Sequence, residues 1–270
     1  MRSEFLLWPV VMIVCASMLA GAGASEDAPA EASAEARVSP EVETWLDRIE
    51  AKADEIETLR ARLKYERVQG LLGDTQIRFG ALLYSAGPPS KFAASFDRVV
   101  RDRKMRMQAQ SFIFDGRWLA ERSVDDGRKL FIRRELVPPE REGEDLLGLG
   151  EGPFALPLDL EKETVLERFE VTLVEDEPDS DAPENSVHLR LVPREHVDVE
   201  QSRIDLWYDR DTLLPVRVRT EEEKEEAVSV ITLREIESPA ELPEDAFDTT
   251  PPRGRGWQVE IKPLEQEGEQ

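Results

Sequence analysis

The apolar residues of this chain change their spacing at Thr58, from the period of a helix to the period of a strand. Upstream, they recur every three or four positions on one face of a predicted helix from Ser39 to Ile56: Val42, Leu46, Ile49, Ala53 and Ile56. Downstream, apolar residues alternate with charged ones: Leu59, Ala61, Leu63 and Tyr65 against Arg60, Arg62, Lys64 and Glu66. The sequence therefore predicts a sheet with one charged and one apolar face, and a helix available to cover the apolar face.

Similar alternation continues to residue 261, broken by turns rich in Gly, Pro and Asp. Asp115-Gly116 and Asp126-Gly127 supply the positive backbone φ that tight hairpin turns need. Residues 138–166 hold Pro, Gly and mixed charge, with a short helix predicted over Leu158–Arg168. The predicted strands cover 77–83, 92–96, 105–113, 118–124, 130–136, 169–173, 187–191, 204–208, 216–218, 228–233 and 257–261. The pattern predicts a mainly β (α+β) domain built from antiparallel hairpins.

The first 24 residues have the composition of a secretion signal. Arg2 precedes an apolar run from Phe5 to Leu19, and Ala22-Gly23-Ala24 fits a signal-peptidase site, so we expect export with cleavage near Ala24. Residues 25–38 hold few groups that could form a core and are predicted to be a disordered acidic leader. We expect one domain over residues 39–262, followed by an acidic tail over residues 263–270.

Cysteine usage narrows the chemistry further. Cys15 is the single cysteine, and Val14 precedes it, whereas bacterial lipoproteins place a small residue there, so lipid attachment is disfavoured. After cleavage the protein would contain no thiol. Disulfides, thiol catalysis and cysteine-based zinc binding are therefore excluded.

The charge balance argues against one class of ligand. The chain has 35 Lys and Arg against 58 Asp and Glu, a net charge of −23, and such a surface should repel nucleic acid. A local basic group runs against this trend, and we interpret it as a solvated strand end or turn. Its members are Arg98, Arg101, Arg103, Lys104 and Arg106.

The sequence offers little for catalysis. His188 and His196 are the only histidines and have no evident third metal ligand, so we predict no metal site and no cofactor. No glycine-rich phosphate loop and no nucleophile elbow are present. A calcium loop at Asp205, Asp209 and Asp211 would lack the usual glycine and bidentate acid, and we interpret these residues as turn and surface positions. An enzyme is the least favoured class.

Four short strings occur in this order along the chain: Phe114-Asp115-Gly116-Arg117-Trp118, Gly152-Pro153-Phe154-Ala155-Leu156, His188-Leu189-Arg190-Leu191-Val192-Pro193 and Ala246-Phe247-Asp248-Thr249-Thr250-Pro251-Pro252. Together they resemble the bacterial outer-membrane lipoprotein carrier family, the LolA-like and LolB-like periplasmic sorting proteins. That family has an Asp-Gly turn before an aromatic strand, a Pro-Phe segment opening mid-chain helices, a strand ending in Pro, and a closing Phe before Pro-Pro.

The resemblance implies an incomplete, strongly curved antiparallel β-barrel whose N-terminal and mid-chain helices cover a concave face that binds acyl chains. It implies a periplasmic, non-enzymatic carrier of acylated lipoproteins or other lipids, a monomer that meets an inner-membrane donor complex and an outer-membrane acceptor. The helix face from Val42 to Ile56 would serve as the lid. The predicted cavity lining is Phe79, Leu83, Phe92, Phe96, Met105, Met107, Trp118, Leu206, Val216 and Val218, with Phe154 and Leu156 from the mid-chain segment.

One departure from the family opens an alternative. Characterised carriers place an arginine just before the proline that leads into the third strand, whereas the matching positions here are Ala86, Gly87 and Pro88. The same fold also serves envelope sensors. The alternative is therefore a sensor or protein-interaction module whose concave face is a filled core and whose acidic rim contacts a protein.

Overall fold

The computed structural model describes residues 38–70, 74–141, 157–177, 180–197, 199–222, 224 and 226–264. The predicted signal, residues 25–37 of the predicted leader, and residues 265–270 of the predicted tail lie outside the described residues. Within the described part of the chain, no helix is both long and apolar enough to cross a membrane.

The leading helix, α1, spans Pro40–Ala53 and begins as predicted. Ser39 is the N-cap, with extended backbone, and its Oγ accepts a hydrogen bond from the Val42 amide at 3.3 Å. Pro40 occupies the first turn, where a missing N–H costs nothing. The helix ends at Ala53, so Ile56 is buried just beyond it rather than on it.

The strands among the described residues form a single sheet of twelve, in the order β12-β6-β5-β4-β3-β2-β1-β11-β10-β9-β8-β7. β12 and β7 are its two edges, so the sheet is open, and the prediction of a mainly β, incompletely closed fold is confirmed. A second helix, α2, spans Lys162–Arg168, the later part of the predicted segment. The strands are β1 Thr58–Gln69, β2 Asp74–Ser85, β3 Lys91–Arg101, β4 Lys104–Phe114, β5 Trp118–Asp125, β6 Arg128–Glu135, β7 Phe169–Val174, β8 Ser186–Pro193, β9 Gln201–Asp209, β10 Pro215–Glu222, β11 Ala227–Glu237 and β12 Trp257–Lys262.

Neighbouring strands pair antiparallel except at one edge. β12 runs parallel to β6, with Trp257 opposite Lys129 and Lys262 opposite Arg134. The alternation of the terminal strand predicted its existence, but not its partner or direction, because direction depends on the path of the chain after β11.

In the first half of β1, one face of the sheet is buried and the other is exposed, as the alternation of apolar and charged residues predicts. Leu59, Ala61 and Leu63 are buried, and we call their side of the sheet the inner face. Arg60 and Arg62 are exposed on the opposite, outer face. The register carries the inner face across the sheet through the buried residues of neighbouring strands. Its members include Leu82, Tyr84, Phe92, Ala94, Phe96, Phe114, Val187, Leu189, Leu191, Ile204, Leu206, Tyr208, Val218, Ile231 and Leu233.

Local irregularities bend the long strands. A Cβ added to Gly80 would lie 1.8 Å from the Ser95 carbonyl oxygen, so only glycine allows β2 and β3 to approach this closely. Next to it the register shifts, because Asp97 is an extra residue between Phe96 and Arg98. β4 has its own shift at the same level. These bulges also move the alternation of β3 and β4 by one residue.

A second buried surface lies on the outer face. Four outer-face residues of β3 to β6 are almost fully buried and do not belong to the main core: Ala93, Ile113, Ala120 and Phe131. The segment between β11 and β12 is bound at this side of the sheet. Arg122 of β5 donates to the carbonyls of Asp248 and Thr250 at 2.6 and 3.2 Å, and the buried Thr249 donates to Asp115 at 2.5 Å. Strands β3 to β6 thus carry buried apolar residues on both faces.

Candidate ligand-binding face

Helix α1 closes the apolar part of the inner face. Val42, Leu46 and Ile49 are 2%, 0% and 1% exposed and belong to the core cluster. Val165 of α2, together with Leu158 and Leu160 before it, joins the same cluster. We call α1 and α2 together the cover.

Polar contacts join the two helices of the cover, and α2 is also held by Arg194 after β8, which donates to the Leu166 and Arg168 carbonyls at 3.1 and 2.9 Å. Glu50 accepts a hydrogen bond from the Lys162 amide at 2.9 Å, and Asp47 pairs with the Lys162 ammonium at 2.6 Å. This pairing raises the pKa of Lys162. Among the described residues, no side chain of α1 forms a hydrogen bond or an ion pair with the sheet. On the sheet side, the guanidinium of Arg210 stacks over the Trp45 ring of α1 at 5.4 Å. Apolar contact therefore provides most of the attachment between α1 and the sheet.

Four of the predicted lining residues lie together on the inner face. Phe92, Phe96, Leu206 and Val218 are at most 4% exposed and belong to the core beneath the cover. Phe92 stacks on Phe114 with ring centroids 5.9 Å apart. Of the predicted lid residues, all but the half-buried Ala53 are fully buried.

Five predicted lining residues are on the wrong face. The register places Phe79 opposite Arg98, whose guanidinium lies 5.5 Å above its ring on the outer face, and Leu83 shares that side of β2. Met105 and Met107 are 61% and 76% exposed and also belong to the outer face. The prediction failed because β2 to β5 carry apolar residues on both faces, and the bulges displace the alternation further. The fifth residue is Trp118.

Trp118 lies on the outer face, and the remaining predicted lining residues are not among those identified on the inner face. The Trp118 ring faces outward, beneath Arg133 at 4.2 Å. Val216 lies at a register shift between β9 and β10 and is half-buried. Phe154 and Leu156 fall outside the described residues.

Beyond the apolar core, the inner face carries polar side chains across β10 to β5, which we call the polar band. In it, Arg67 makes two contacts with the Glu222 carboxylate at 3.0 and 3.3 Å. Tyr65 lies 3.2 Å from the Ser229 hydroxyl. The band consists of Tyr65, Arg67, Gln76, Arg78, Gln110, Glu121, Thr220, Glu222 and Ser229.

Arg78 occupies the boundary between the polar band and the core. Its guanidinium lies 6.0 Å from the ring centroid of the buried Phe96, and Nη2 donates to Gln76 at 3.2 Å. Its Nε is buried and has no hydrogen-bond partner. Burial lowers the pKa of Arg78, against the opposing influence of Tyr65 and Glu121. Among the described residues, no carboxylate forms an ion pair with it.

The outer face of β8 to β10 is organised around a buried carboxylate. Asp205, 1% exposed, lies 2.7 Å from Arg190 Nε and 3.0 Å from His188 Nε2. Arg203 and Arg219 approach its other oxygen at 3.1 and 3.4 Å. Burial opposes ionisation, but hydrogen bonds from His188 and Arg190 and the surrounding positive charge outweigh it and lower the pKa of Asp205 to about 2. The interpretation of Asp205 as a surface residue was wrong.

His188 links this cluster to the acidic loop after β7. Its Nδ1 lies 2.9 Å from Asp176 and its ring stacks on Trp207 at 4.1 Å. Trp207 Nε1 donates to the other oxygen of Asp176 at 3.0 Å. Asp209 instead accepts hydrogen bonds from the amides of the turn that follows β9. The described residues hold no group of three His, Cys, Asp or Glu side chains that could bind a metal.

Comparisons with known proteins give structural similarities only. No family model matches the chain, and no curated protein matches its sequence. Among solved structures, the MucA/MucB complex of Pseudomonas aeruginosa aligns at 17% identity and a TM-score of 0.40, over 77% of this chain and 60% of that one. A LolA superfamily protein from Nitrosomonas europaea aligns at 14% identity and 0.31, over 75% and 97%. LprF from Mycobacterium bovis aligns at 12% identity and 0.38, over 77% and 98%. These similarities concern the backbone fold.

Sequence reasoning missed two functional candidates, Arg78 and Asp205. Both residues were visible in the sequence as a charged residue between two apolar neighbours of a predicted strand. Asp205 separates the apolar Ile204 and Leu206, and Arg78 separates Ile77 and Phe79. A charge between apolar neighbours marks the solvent face of an ordinary strand, so only the register could show that these two side chains are enclosed.

Proposed function

We propose that this protein is a periplasmic carrier that holds the acyl chain of a lipoprotein or another lipid against the inner face, beneath the cover. The observation that supports this proposal is the attachment of α1. Its buried side chains touch the sheet through apolar contacts, while the carboxylates of Asp47 and Glu50 join it to Lys162 of α2. Apolar contacts are non-directional. An acyl chain can therefore take over the contacts that Leu46 and Ile49 make with the sheet without leaving a polar group unpaired.

The magnitudes favour such an exchange. Releasing Val42, Leu46 and Ile49 from the inner face costs about 2 kcal/mol for each side chain. Burying a dozen methylenes of an acyl chain returns about 10 kcal/mol, at about 0.8 kcal/mol for each. Ligand and cover therefore compete on comparable terms, as a reversible carrier requires. No covalent chemistry takes part.

The secretion signal at the start of the sequence supports the proposed location. A carrier in the periplasm would receive its cargo from an inner-membrane donor and release it to an outer-membrane acceptor. We propose that it does so as a monomer. The excess of acidic residues keeps such a carrier soluble and disfavours nucleic acid.

Native mass spectrometry of the protein purified from cell envelopes tests the proposal directly. We expect bound lipid or lipoprotein, and saturable binding of a dansyl-labelled undecanoic acid by the delipidated protein. Met107→Ala, on the exposed outer face, is the matched control and should bind the probe like the parent chain. A protein that carries no lipid and ignores the fatty-acid probe is not a carrier.

The alternative is an envelope sensor or interaction module without lipid cargo. The observation that favours it is the complete burial of Leu46 and Ile49, which makes the inner face a filled core. A complex formed through the acidic rim should weaken markedly between low and physiological salt, whereas acyl-chain binding should change little. Salt titration of the isolated complex separates these two functions.

A further inference from the structure

We infer that Arg78 binds the anionic head of the cargo, so that, among the cargoes proposed above, the carrier selects lipids with a carboxylate or phosphate head over neutral ones. This inference rests on the proposed function. It concerns the end of the ligand that the apolar inner face cannot accommodate.

The position of Arg78 relative to the core supports this role. Its guanidinium lies 6.0 Å from the ring centroid of Phe96, which is buried in the core that the cover closes. Tyr65 of β1 borders Phe96 of β3 across the intervening strand β2, with ring centroids 6.3 Å apart. A chain lying along the inner face would therefore pass these rings and reach Arg78 as it leaves the apolar surface.

The length of the apolar surface also fits. Leu59 and Tyr65 are six residues apart on β1, which corresponds to about 20 Å at about 3.3 Å per residue. The hydrocarbon core of a bilayer is about 30 Å thick and holds two layers of acyl tails, or about 15 Å for each tail. An acyl chain can lie on the inner face at full length with its head at the polar band.

Arg78 is the cation of the polar band that has no carboxylate partner in the described part of the chain. Arg67 is neutralised by two contacts with Glu222. The nearby Glu121 accepts a hydrogen bond from Gln110 and does not form an ion pair with Arg78. A half-buried cation without a carboxylate partner is costly, and an anionic ligand head would remove that cost.

Unpaired hydrogen-bonding atoms lie beside it on the same face. The buried Nε2 of Gln76 and the buried Nε of Arg78 have no hydrogen-bond acceptor among the described residues. Both atoms are N–H donors, and an anion accepts from such donors. The site thus offers a positive charge and two free donors to a carboxylate or phosphate.

Competition binding with matched ligands tests the inference. The delipidated protein is titrated with palmitate, hexadecyl phosphate, 1-hexadecanol and inorganic phosphate, and displacement of a fluorescent fatty alcohol is measured. We expect the two anionic ligands to bind about tenfold or more tightly than 1-hexadecanol, a ratio typical of a charge-assisted hydrogen bond. Inorganic phosphate should not displace the probe, because it has no chain to bury.

Three variants assign the preference to Arg78. Arg78→Gln should bind palmitate and hexadecyl phosphate about tenfold more weakly while its affinity for 1-hexadecanol stays within about twofold. Arg78→Lys should retain most of the preference. Arg62→Gln removes an equal charge from the exposed outer face and should change nothing.

The outcomes separate the inference from the proposed function. Equal affinity for palmitate and 1-hexadecanol, or an unchanged preference in Arg78→Gln, overturns the role of Arg78 and leaves the carrier intact. Displacement by inorganic phosphate alone identifies a free-anion site and also overturns it. Failure of every chain-bearing ligand to bind overturns both.

Discussion

The two faces of strand β9 are held in opposite ways. Inward, Ile204, Leu206 and Tyr208 pack into the core that the cover closes. Outward, Asp205 is held by four positively charged or ionisable side chains in fixed directions, and Trp207 donates a hydrogen bond to Asp176. Apolar contact tolerates exchange of partners, whereas a buried carboxylate cannot lose its partners cheaply. The outer face therefore holds the sheet together, and under the proposed function the inner face is the side that exchanges its contacts.

The largest expected effect tests the outer face. Asp205→Ala leaves Arg190, Arg203 and Arg219 facing one another around an empty site, and should lower the free energy of unfolding by about 3 kcal/mol. Urea unfolding followed by circular dichroism measures this change. Glu237→Ala, which breaks an exposed pair with Arg60, is the control and should cost at most about 1 kcal/mol. Equal losses in the two variants would remove the distinction between the faces.

The same carboxylate predicts a pH dependence. Asp205 has a pKa of about 2 in the folded chain, below its ordinary value of 3.8. The charged form is thus favoured by folding, so its contribution is fully present above about pH 4 and is lost as the pH falls toward 2. The difference in unfolding free energy between the parent chain and Asp205→Asn should shrink across that window. A difference that stays constant from pH 6 to pH 2 contradicts the assignment.

A smaller effect on stability, with a larger one on binding, is expected from the inner face. Leu46→Asp places an unpaired charge between α1 and the sheet, which should displace the cover and weaken binding of the dansyl fatty acid by about tenfold or more. Circular dichroism should still show a β-rich fold. Thr44→Asp, at an exposed position of the same helix, serves as the control. Cooperative unfolding of the whole domain by Leu46→Asp would show that α1 is core rather than cover.

The smallest effect sharpens the same point. Ser39→Ala removes the hydrogen bond to the Val42 amide and should destabilise α1 by about 1 kcal/mol. If the cover opens independently of the sheet, amide hydrogen exchange should become about fivefold faster in α1 and remain unchanged in β1 and β9. Ser39→Asp keeps a capping oxygen and should exchange like the parent chain. Faster exchange throughout the domain would mean that helix and sheet open together.

Local signals predicted much of this architecture. The helical spacing of Val42, Leu46 and Ile49 predicted α1, and the alternation along β1 predicted its buried face, because both patterns depend on neighbouring residues alone. The face of Phe79 and Met107 could not be read in this way, since bulges and a second buried surface at β3 to β6 make alternation ambiguous.

The candidate site was predictable only in part. Phe92, Phe96, Leu206 and Val218 were identified as inner-face residues because they are apolar and alternate in phase with the core. Arg78 was not identified, because its enclosure depends on partners from separate strands, which periodicity cannot reveal.

The parallel pairing of β12 with β6 has a consequence for folding. Opposite residues such as Trp257 and Lys129 are about 130 residues apart in sequence, whereas β5 and β6 meet through a tight hairpin. Because β12 is the last described strand in chain order, β6 can pair with β5 through that hairpin before β12 is available. Until then β6 presents unpaired amides and carbonyls along its edge, and this edge is where a second unfinished chain would add a strand. The docked β12 thus covers the pairing groups of β6 and protects this edge of the earlier strands from self-association.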